Sequence, residues 1–190
     1  MLDLADPSAH DNSAACDCWP AVPLRASTQL MVDERNWEVE REIILARAAG
    51  RESLITGSFA RVVGRALVPP HTDPAGAMWD LASVVVAHGT EPDPVFFYGN
   101  RAALTLFEMP ARDFVRLPSR LSAEPLERAE RDRLMAQVSR ENLIDDYSGI
   151  RVSATGKRFR IDRAIVWNLL NAEGSVRGQA AAFSDWTALD

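Results

Sequence analysis

The C-terminal third of the chain, residues 150–183, constrains the fold more than any other segment. Two turn sequences, Ala154-Thr-Gly-Lys157 and Asn171-Ala-Glu-Gly174, divide it into three candidate β-strands. The middle strand alternates apolar and polar side chains, with Phe159, Ile161, Ile165, Trp167 and Leu169 set against Arg158, Arg160, Asp162 and Asn168. Because side chains on a strand point to opposite faces in turn, this pattern predicts an antiparallel strand with one buried face.

Two more strands are predicted earlier in the chain. Leu81 to His88 is rich in β-branched residues and ends at Gly89, and the acidic proline turn at 90–94 connects it to Val95 through Tyr98. Helical patterns separate these strands from the last three: Arg101–Glu108 capped by Asn100, a short helix after Pro110, and a charged helix over Glu124–Glu141. The order predicts an α+β fold, in which a single five-stranded antiparallel sheet carries its helices on one face.

The first 82 residues divide into two segments that precede this core. Residues 1–30 are polar and aperiodic, so we expect a disordered leader. Residues 31–82 predict an N-terminal helical extension with two helices, one capped by Asn36 and one over the stripe from Leu54 to Leu67. The core domain is then expected over 83–190, and the amphipathic extension could form a homodimer interface.

Composition excludes several functional classes. The 190 residues are 47% hydrophobic and 25% charged, which suits one globular domain with extensions. A net charge of −6 opposes the phosphate neutralisation that nucleic-acid binding requires. No apolar run reaches the roughly 20 residues of a spanning helix, and the leader has no signal-peptide pattern. These features predict a cytoplasmic protein that binds neither nucleic acid nor membrane.

The sequence resembles the PAS fold at its joints. The segment Val95–Phe107 resembles the PAS passage from a strand through Asn into the first helix. Thr155-Gly-Lys-Arg-Phe159 resembles the Asp-Gly-x-x-Phe hairpin, and Ser184-Asp-Trp-Thr187 resembles the Asp-Ile-Thr that closes the last PAS strand. The resemblance implies a sensory or protein-interaction module, with a pocket for a small ligand between the sheet and the helices.

Four further segments resemble the MEKHLA domain, a PAS-like family, in its bacterial free-standing form. They are His88-Gly-Thr-Glu-Pro-Asp-Pro94, Leu117-Pro-Ser-Arg-Leu-Ser-Ala-Glu-Pro125, Ile144-Asp-Asp-Tyr-Ser-Gly149 and Val166-Trp-Asn-Leu169. The resemblance extends from about Trp37 to Trp186. The family includes the C-terminal domain of plant class III homeodomain leucine-zipper proteins, but this chain has neither a homeodomain nor heptads.

The resemblance leaves the cofactor unknown. A cysteinyl-flavin adduct needs a thiol in the core, but Cys16 and Cys18 lie in the leader, and Arg101 stands where flavin-binding relatives have Cys. Non-covalent flavin binding stays open. The helices from 101 to 141 contain no His or Cys to ligate haem, which leaves only His88 nearby. No metal site is expected, because His10 and the two cysteines do not form a structural zinc set.

Five residues are candidates for lining the pocket. Gln179 occupies the position in the last strand that resembles the Gln of flavin-binding PAS relatives. Tyr98 and Asn100 lie at the joint between strand and helix, although Asn100 also suits a helix cap. Trp167 and Phe159 are predicted to share the apolar face of their strand, either as core residues or in contact with a ligand.

An enzyme remains the alternative. A small cone-shaped isomerase or hydratase also encloses an apolar pocket with a curved sheet, and it needs a buried acid or His there. Asp162 and Asp185 are the acids of the last two strands, and Asp185 could face inward. A long N-terminal helix under the sheet would favour the enzyme, whereas helices between the second and third strands would favour the PAS fold. No catalytic residue is assigned.

Overall fold

A computed structural model of the chain describes residues 35–70, 72–123, 138 and 141–189. The predicted leader therefore lies outside the described residues, as does the predicted helix Glu124–Glu141 apart from Val138 and Glu141, which are helical. None of the helices in the described segments is long and apolar enough to cross a bilayer. The elements are α1 Trp37–Ala48, α2 Glu52–Val63, α3 Pro74–Trp79, β1 Val84–His88, β2 Phe96–Gly99, α4 Arg101–Leu106, α5 Ala111–Phe114, a 3₁₀ turn Ser119–Ser122, β3 Leu143–Val152, β4 Arg158–Leu170, β5 Val176–Phe183 and β6 Asp185–Leu189.

The strands form one antiparallel sheet in the order β2-β1-β5-β4-β3. The predicted five-stranded sheet is confirmed, and α4, α5 and the 3₁₀ turn lie between the second and third strands, as in a PAS fold. A sixth strand, β6, was not predicted. It follows β5 after a bend at Ser184 and pairs with the first half of β4, whereas β5 pairs with the second half.

An extra residue in the middle of β4 moves the side chains that follow it to the opposite side of the sheet. Tyr147 and Gly149 of β3 pair with Ala164 and Ile161, so two steps along β3 match three along β4. The bulge contains Arg163, whose backbone is left-handed with φ of 53°. A bulge of one residue moves every later side chain to the opposite face.

The prediction that Phe159 and Trp167 share a face is therefore wrong. The Phe159 ring packs on Phe107, which follows α4, with ring centroids 5.3 Å apart. The Trp167 ring packs instead on Phe59 of α2, at 4.9 Å. We call the face that carries Ile161 and Val166 the inner face, and the face that carries Trp167 and Leu169 the outer face.

The two faces are covered by different parts of the chain. On the inner side, Phe114 of α5 stacks on Phe96 of β2 at 4.8 Å between ring centroids. On the outer side, Ser58 of α2 donates a hydrogen bond to the Leu170 carbonyl at 3.2 Å and accepts one from the Leu170 amide at 2.8 Å. The core helices thus lie on one face, as predicted, and α2 packs on the other, whereas α1 contacts β2 and α5.

The N-terminal helices begin and end where their caps require. The Asn36 side chain accepts hydrogen bonds from the amides of Glu38 and Val39, as predicted for the start of α1. Gly64 ends α2 with φ of 80°, so the helix stops before Leu67. The third helix, α3, was missed, although Asp73 as N-cap followed by Pro74 is a recognisable start signal.

The apolar residues of the extension belong to the core of the same chain. Ile44, Ile55, Phe59 and Met78 are all buried in one cluster with the sheet. Val39 is the large hydrophobic side chain that α1 leaves exposed, at 47%. Dimerisation through these helices stays a prediction, and little of their apolar surface is left to form it.

Glu108 connects the turn after α4 to the β3–β4 hairpin. Its carboxylate accepts hydrogen bonds from Ser153 at 2.8 Å, from Thr155, and from Lys157. Burial acts to raise the pKa of Glu108, but the hydrogen bonds from Lys157, Thr155 and Ser153 outweigh it and hold that pKa below its usual value of 4.5. The folded state is therefore stabilised by the ionised carboxylate.

We expect Glu108→Gln to lower the free energy of unfolding by about 1 kcal/mol at neutral pH, because Lys157 is largely exposed and solvent screens the charge. A depressed pKa contributes stability above the unfolded value and loses it as pH falls through the folded value. The difference between wild type and variant should therefore shrink as pH falls below 4.5, the usual pKa of the group, and vanish once the folded carboxyl is protonated. Urea unfolding between pH 3 and 8 measures it, and a difference that grows on acidification contradicts this account.

Candidate functional site

A cavity of about 60 Å³ lies at the inner face of the sheet. Its walls are mainly apolar, with Val86, Ile161, Val166 and Phe183 among them. The volume is several times the ~15 Å³ that one ordered water needs and well below the roughly 300 to 1,000 Å³ of pockets for drug-sized ligands. The polar side chains in the wall are His88, Ser119, Ser122, Tyr147, Arg151 and Gln179.

One side of the cavity contains His88 of β1 and Gln179 of β5, in a polar row that continues beyond the cavity wall to Asn168 of β4. Gln179 pairs with His88 on one side and with Asn168 on the other. Its amide Nε2 donates to Asn168 Oδ1 at 3.2 Å, and Asn168 Nδ2 donates to the Val138 carbonyl at 2.9 Å. Since the amide groups are buried and hydrogen-bonded to each other, their orientation in the wall is fixed.

The opposite side of the cavity is formed by β3. Tyr147, Gly149 and Arg151 are two positions apart along this strand and share one face, and the side chains of Tyr147 and Arg151 reach the cavity wall. Arg151 Nη2 donates to the Tyr147 hydroxyl, and Nη1 donates to the Ile150 carbonyl at 2.8 Å. The guanidinium carbon lies 5.3 Å from the centre of the Tyr147 ring, which adds a cation–π contact.

Of the five candidates from the sequence, the structure places Gln179 in the cavity wall and Tyr98 and Trp167 on the outer face. Tyr98, Ala87, Ala180 and Trp167 form one cross-strand row there. Within the described part of the chain, the Tyr98 hydroxyl and Trp167 Nε1 are buried without a hydrogen-bond partner. Burial, and next the charge of Glu52, raise the pKa of Tyr98 above its usual value of 10.0.

The remaining two candidates have structural roles. Phe159 is on the inner side but lies between Phe107 and Trp186 rather than in the cavity wall. Asn100 is fully buried and caps α4 by accepting from the Ala103 amide at 3.1 Å. It also accepts from the Val85 amide at 3.0 Å, so its side chain connects the start of the helix to β1.

Arg151 is the wall residue that sequence reasoning missed. It stands in a stretch that also contains the basic residues Lys157, Arg158, Arg160 and Arg163. Arg151 is 8% exposed, whereas Arg160 is exposed and pairs with Asp162 at 3.0 Å. The signal was available, because Arg151 stands two and four residues from Gly149 and Tyr147 and so shares their face of the strand.

The acids proposed for the enzyme alternative lie away from the cavity. Asp162 pairs with Arg160, and Asp185 pairs with Arg163 at 2.6 Å with its side chain 57% exposed. The expectation that Asp185 could face inward is wrong. Asp145 and Asp146 are both exposed in β3. None of these carboxylates lies in the cavity wall, so no observation favours the enzyme.

The residues present do not fit a flavin. A cavity of about 60 Å³ cannot enclose a three-ring isoalloxazine, and Arg101 is exposed and pairs with Asp80 at 3.6 Å. The same volume excludes haem, although His88 is in the wall. No group of three metal-ligating side chains occurs within the described ranges, and His10, Cys16 and Cys18 lie outside them.

Solved structures share the fold of this chain. The PAS domain of a protein from Colwellia psychrerythraea superimposes with a TM-score of 0.52 at 10% identity, covering 60% of this chain and 92% of that one. An RNA-binding Light-Oxygen-Voltage receptor does so with a TM-score of 0.51 at 18% identity, covering 65% of this chain and 35% of the receptor. At these identities the likeness establishes the fold alone.

No curated protein sequence matches the chain. The sequence model of the MEKHLA domain matches residues 49–188, from the end of α1 to the last strand. The matched range contains α2, which packs on β4, and α3, which packs on α2, as well as the sheet up to its last strand and the cavity. The chain therefore belongs to the MEKHLA domain family, with a PAS-like α+β fold.

Proposed function

We propose that the chain is a cytoplasmic sensory module that binds a small ligand in the cavity of the inner face and passes the change to a protein partner. The observation that carries the proposal is the cavity itself, which collects six polar side chains within an apolar wall. Such a combination is typical of small-molecule sites. The acids that an enzyme would use are outside it.

β4 offers a route from the cavity to the protein surface. Val166 contributes to the cavity wall, and its neighbour Trp167 packs on Phe59 of α2 on the other face. A ligand that shifts this strand would therefore change the surface of β4 on which α2 packs. In this proposal the core at 83–190 binds the ligand, the helical extension at 31–82 presents the response, and residues 1–30 are a leader.

We expect the substitution Ala181→Leu to abolish ligand responses while leaving the fold intact. Ala181 is half-buried in the cavity wall, so a larger side chain there fills the space that a ligand would occupy. The matched control is Ala60→Leu, the same change at an exposed position of α2. Melting temperatures of the full chain are measured against a panel of small metabolites, both charged and neutral.

Wild type and Ala60→Leu should be stabilised by the same compounds, and Ala181→Leu by none of them. If no compound raises the melting temperature of wild type, or if Ala181→Leu responds as wild type does, the cavity is not a ligand site. The module would then act through protein contacts without a ligand.

A further inference from the structure

We propose that the cavity binds a short-chain monocarboxylate and that Arg151 pairs with its carboxylate group. This inference rests on the proposed function, because it assigns a chemical class to the ligand of the same cavity. The observations behind it are the burial of Arg151, the hydrogen bonds that hold it, and the composition of the wall around it.

Within the described segments, Arg151 is a buried cation without an anionic partner. The residue is 8% exposed, and its guanidinium carries a positive charge. Its hydrogen bonds go to the Tyr147 hydroxyl and the Ile150 carbonyl, which are both neutral. Among the described residues no carboxylate forms an ion pair with it. Burying an unpaired charge is strongly unfavourable, so an anion in the cavity would stabilise this arrangement.

Gly149 lets the guanidinium and the phenol come together. A Cβ atom at this position would lie 2.7 Å from Tyr147 Oη and 3.3 Å from Arg151 Nη1, so any other residue would push the pair apart. The hydroxyl of Tyr147 accepts from Arg151, which leaves its own hydrogen for a second acceptor. The pair can therefore offer a carboxylate one N–H fork and one O–H donor.

The rest of the wall selects the class of anion. Arg151 is the one permanent cation among the described wall residues, which matches a single negative charge better than a phosphate dianion or a dicarboxylate. Val86, Ile161, Val166 and Phe183 surround the remaining space and suit a short alkyl chain. With about 60 Å³ available, only a few heavy atoms fit.

Titration of the full chain with butyrate and with butyramide tests the inference, because the two probes differ in charge and hardly in shape. Binding is followed by isothermal calorimetry and by amide shifts in NMR spectra. Wild type should bind butyrate roughly 10- to 100-fold more tightly than butyramide. Arg151→Met should remove that preference, and the control Arg160→Met, the same change at an exposed position, should keep it.

Equal binding of butyrate and butyramide by wild type would overturn the inference and leave the cavity as a site for neutral ligands. Binding of inorganic phosphate or chloride as tight as that of butyrate would also overturn it. Should Arg151→Met fail to fold, Tyr147→Phe replaces it and should weaken butyrate several-fold with butyramide unchanged; an unchanged preference counts against the pairing. Failure of the proposed function is recognised separately, by a panel in which nothing binds.

Discussion

Replacing Asn100 by Asp should lower the free energy of unfolding by about 3 to 5 kcal/mol, although the two side chains have nearly the same shape. Asn100 is fully buried between α4 and β1. Its Oδ1 accepts from the amides of Val85 and Ala103, and an aspartate could still do so.

The loss comes from the other end of the amide. Nδ2 faces three carbonyl oxygens, those of Met78 at 3.2 Å, Leu81 at 3.3 Å and Ser83 at 2.8 Å. A carboxylate would place a negative oxygen against all three at a fully buried position. The penalty should shrink as pH falls, because the new carboxyl regains a donor when it takes up a proton.

Chemical denaturation at several pH values measures the effect. The control is Asn171→Asp, because Asn171 Oδ1 only accepts, from the Ser175 amide at 2.7 Å, and an aspartate keeps that bond. The control should stay within about 0.5 kcal/mol of wild type. If Asn100→Asp were equally mild, Asn100 would be a cap for α4 and nothing more.

Deleting Arg163 should prevent cooperative folding, whereas substituting it should be nearly silent. Arg163 is the exposed residue of the bulge in β4. Without it, either Phe159 and Ile161 or Trp167 and Leu169 would be forced onto the wrong face. Each of these side chains contributes on the order of 2 kcal/mol by burial, so exposing either pair would remove about 4 kcal/mol, which is most of the ~5 kcal/mol that stabilises a marginal domain.

Arg163→Gly is the matched substitution. It removes an exposed ion pair with Asp185, which contributes little, and it relieves a left-handed backbone that glycine adopts freely. Its free energy of unfolding should stay within about 1 kcal/mol of wild type. Circular dichroism melts of both proteins decide the question, and a folded deletion protein with a normal melt would mean that the bulge can move along the strand.

The fold could be read from the sequence because its signals are local. Asn36 and Asn100 each mark a helix start by their own side-chain hydrogen bonds, and the two turn sequences mark the ends of the last strands. The bulge at Arg163 could not be read from the sequence, since Phe159 and Trp167 both stand at odd positions and the alternation predicts that they share a face. Polar residues also alternate with apolar ones in the exposed first half of β4, so the extra residue there did not stand out.

The candidate site was harder to predict than the fold. Gln179 was identified by a resemblance, and it does lie in the cavity wall. Tyr98 and Trp167 were expected there, but the faces they occupy depend on the register across four strands, which no local pattern encodes. Arg151 was hidden by the charged residues around it, because a buried and a solvated arginine look the same in a sequence.

The bond between Ser58 and Leu170 has a consequence for the order in which the protein is made. The two residues are 112 positions apart, and Arg61 adds a hydrogen bond to the Asn171 carbonyl across a similar span. During synthesis α2 therefore leaves the ribosome long before β4, on which it packs, has been synthesised. Phe59 cannot pack until Trp167 has been synthesised, so an apolar surface of the helix stays exposed throughout most of translation. Such a surface is a natural substrate for chaperones.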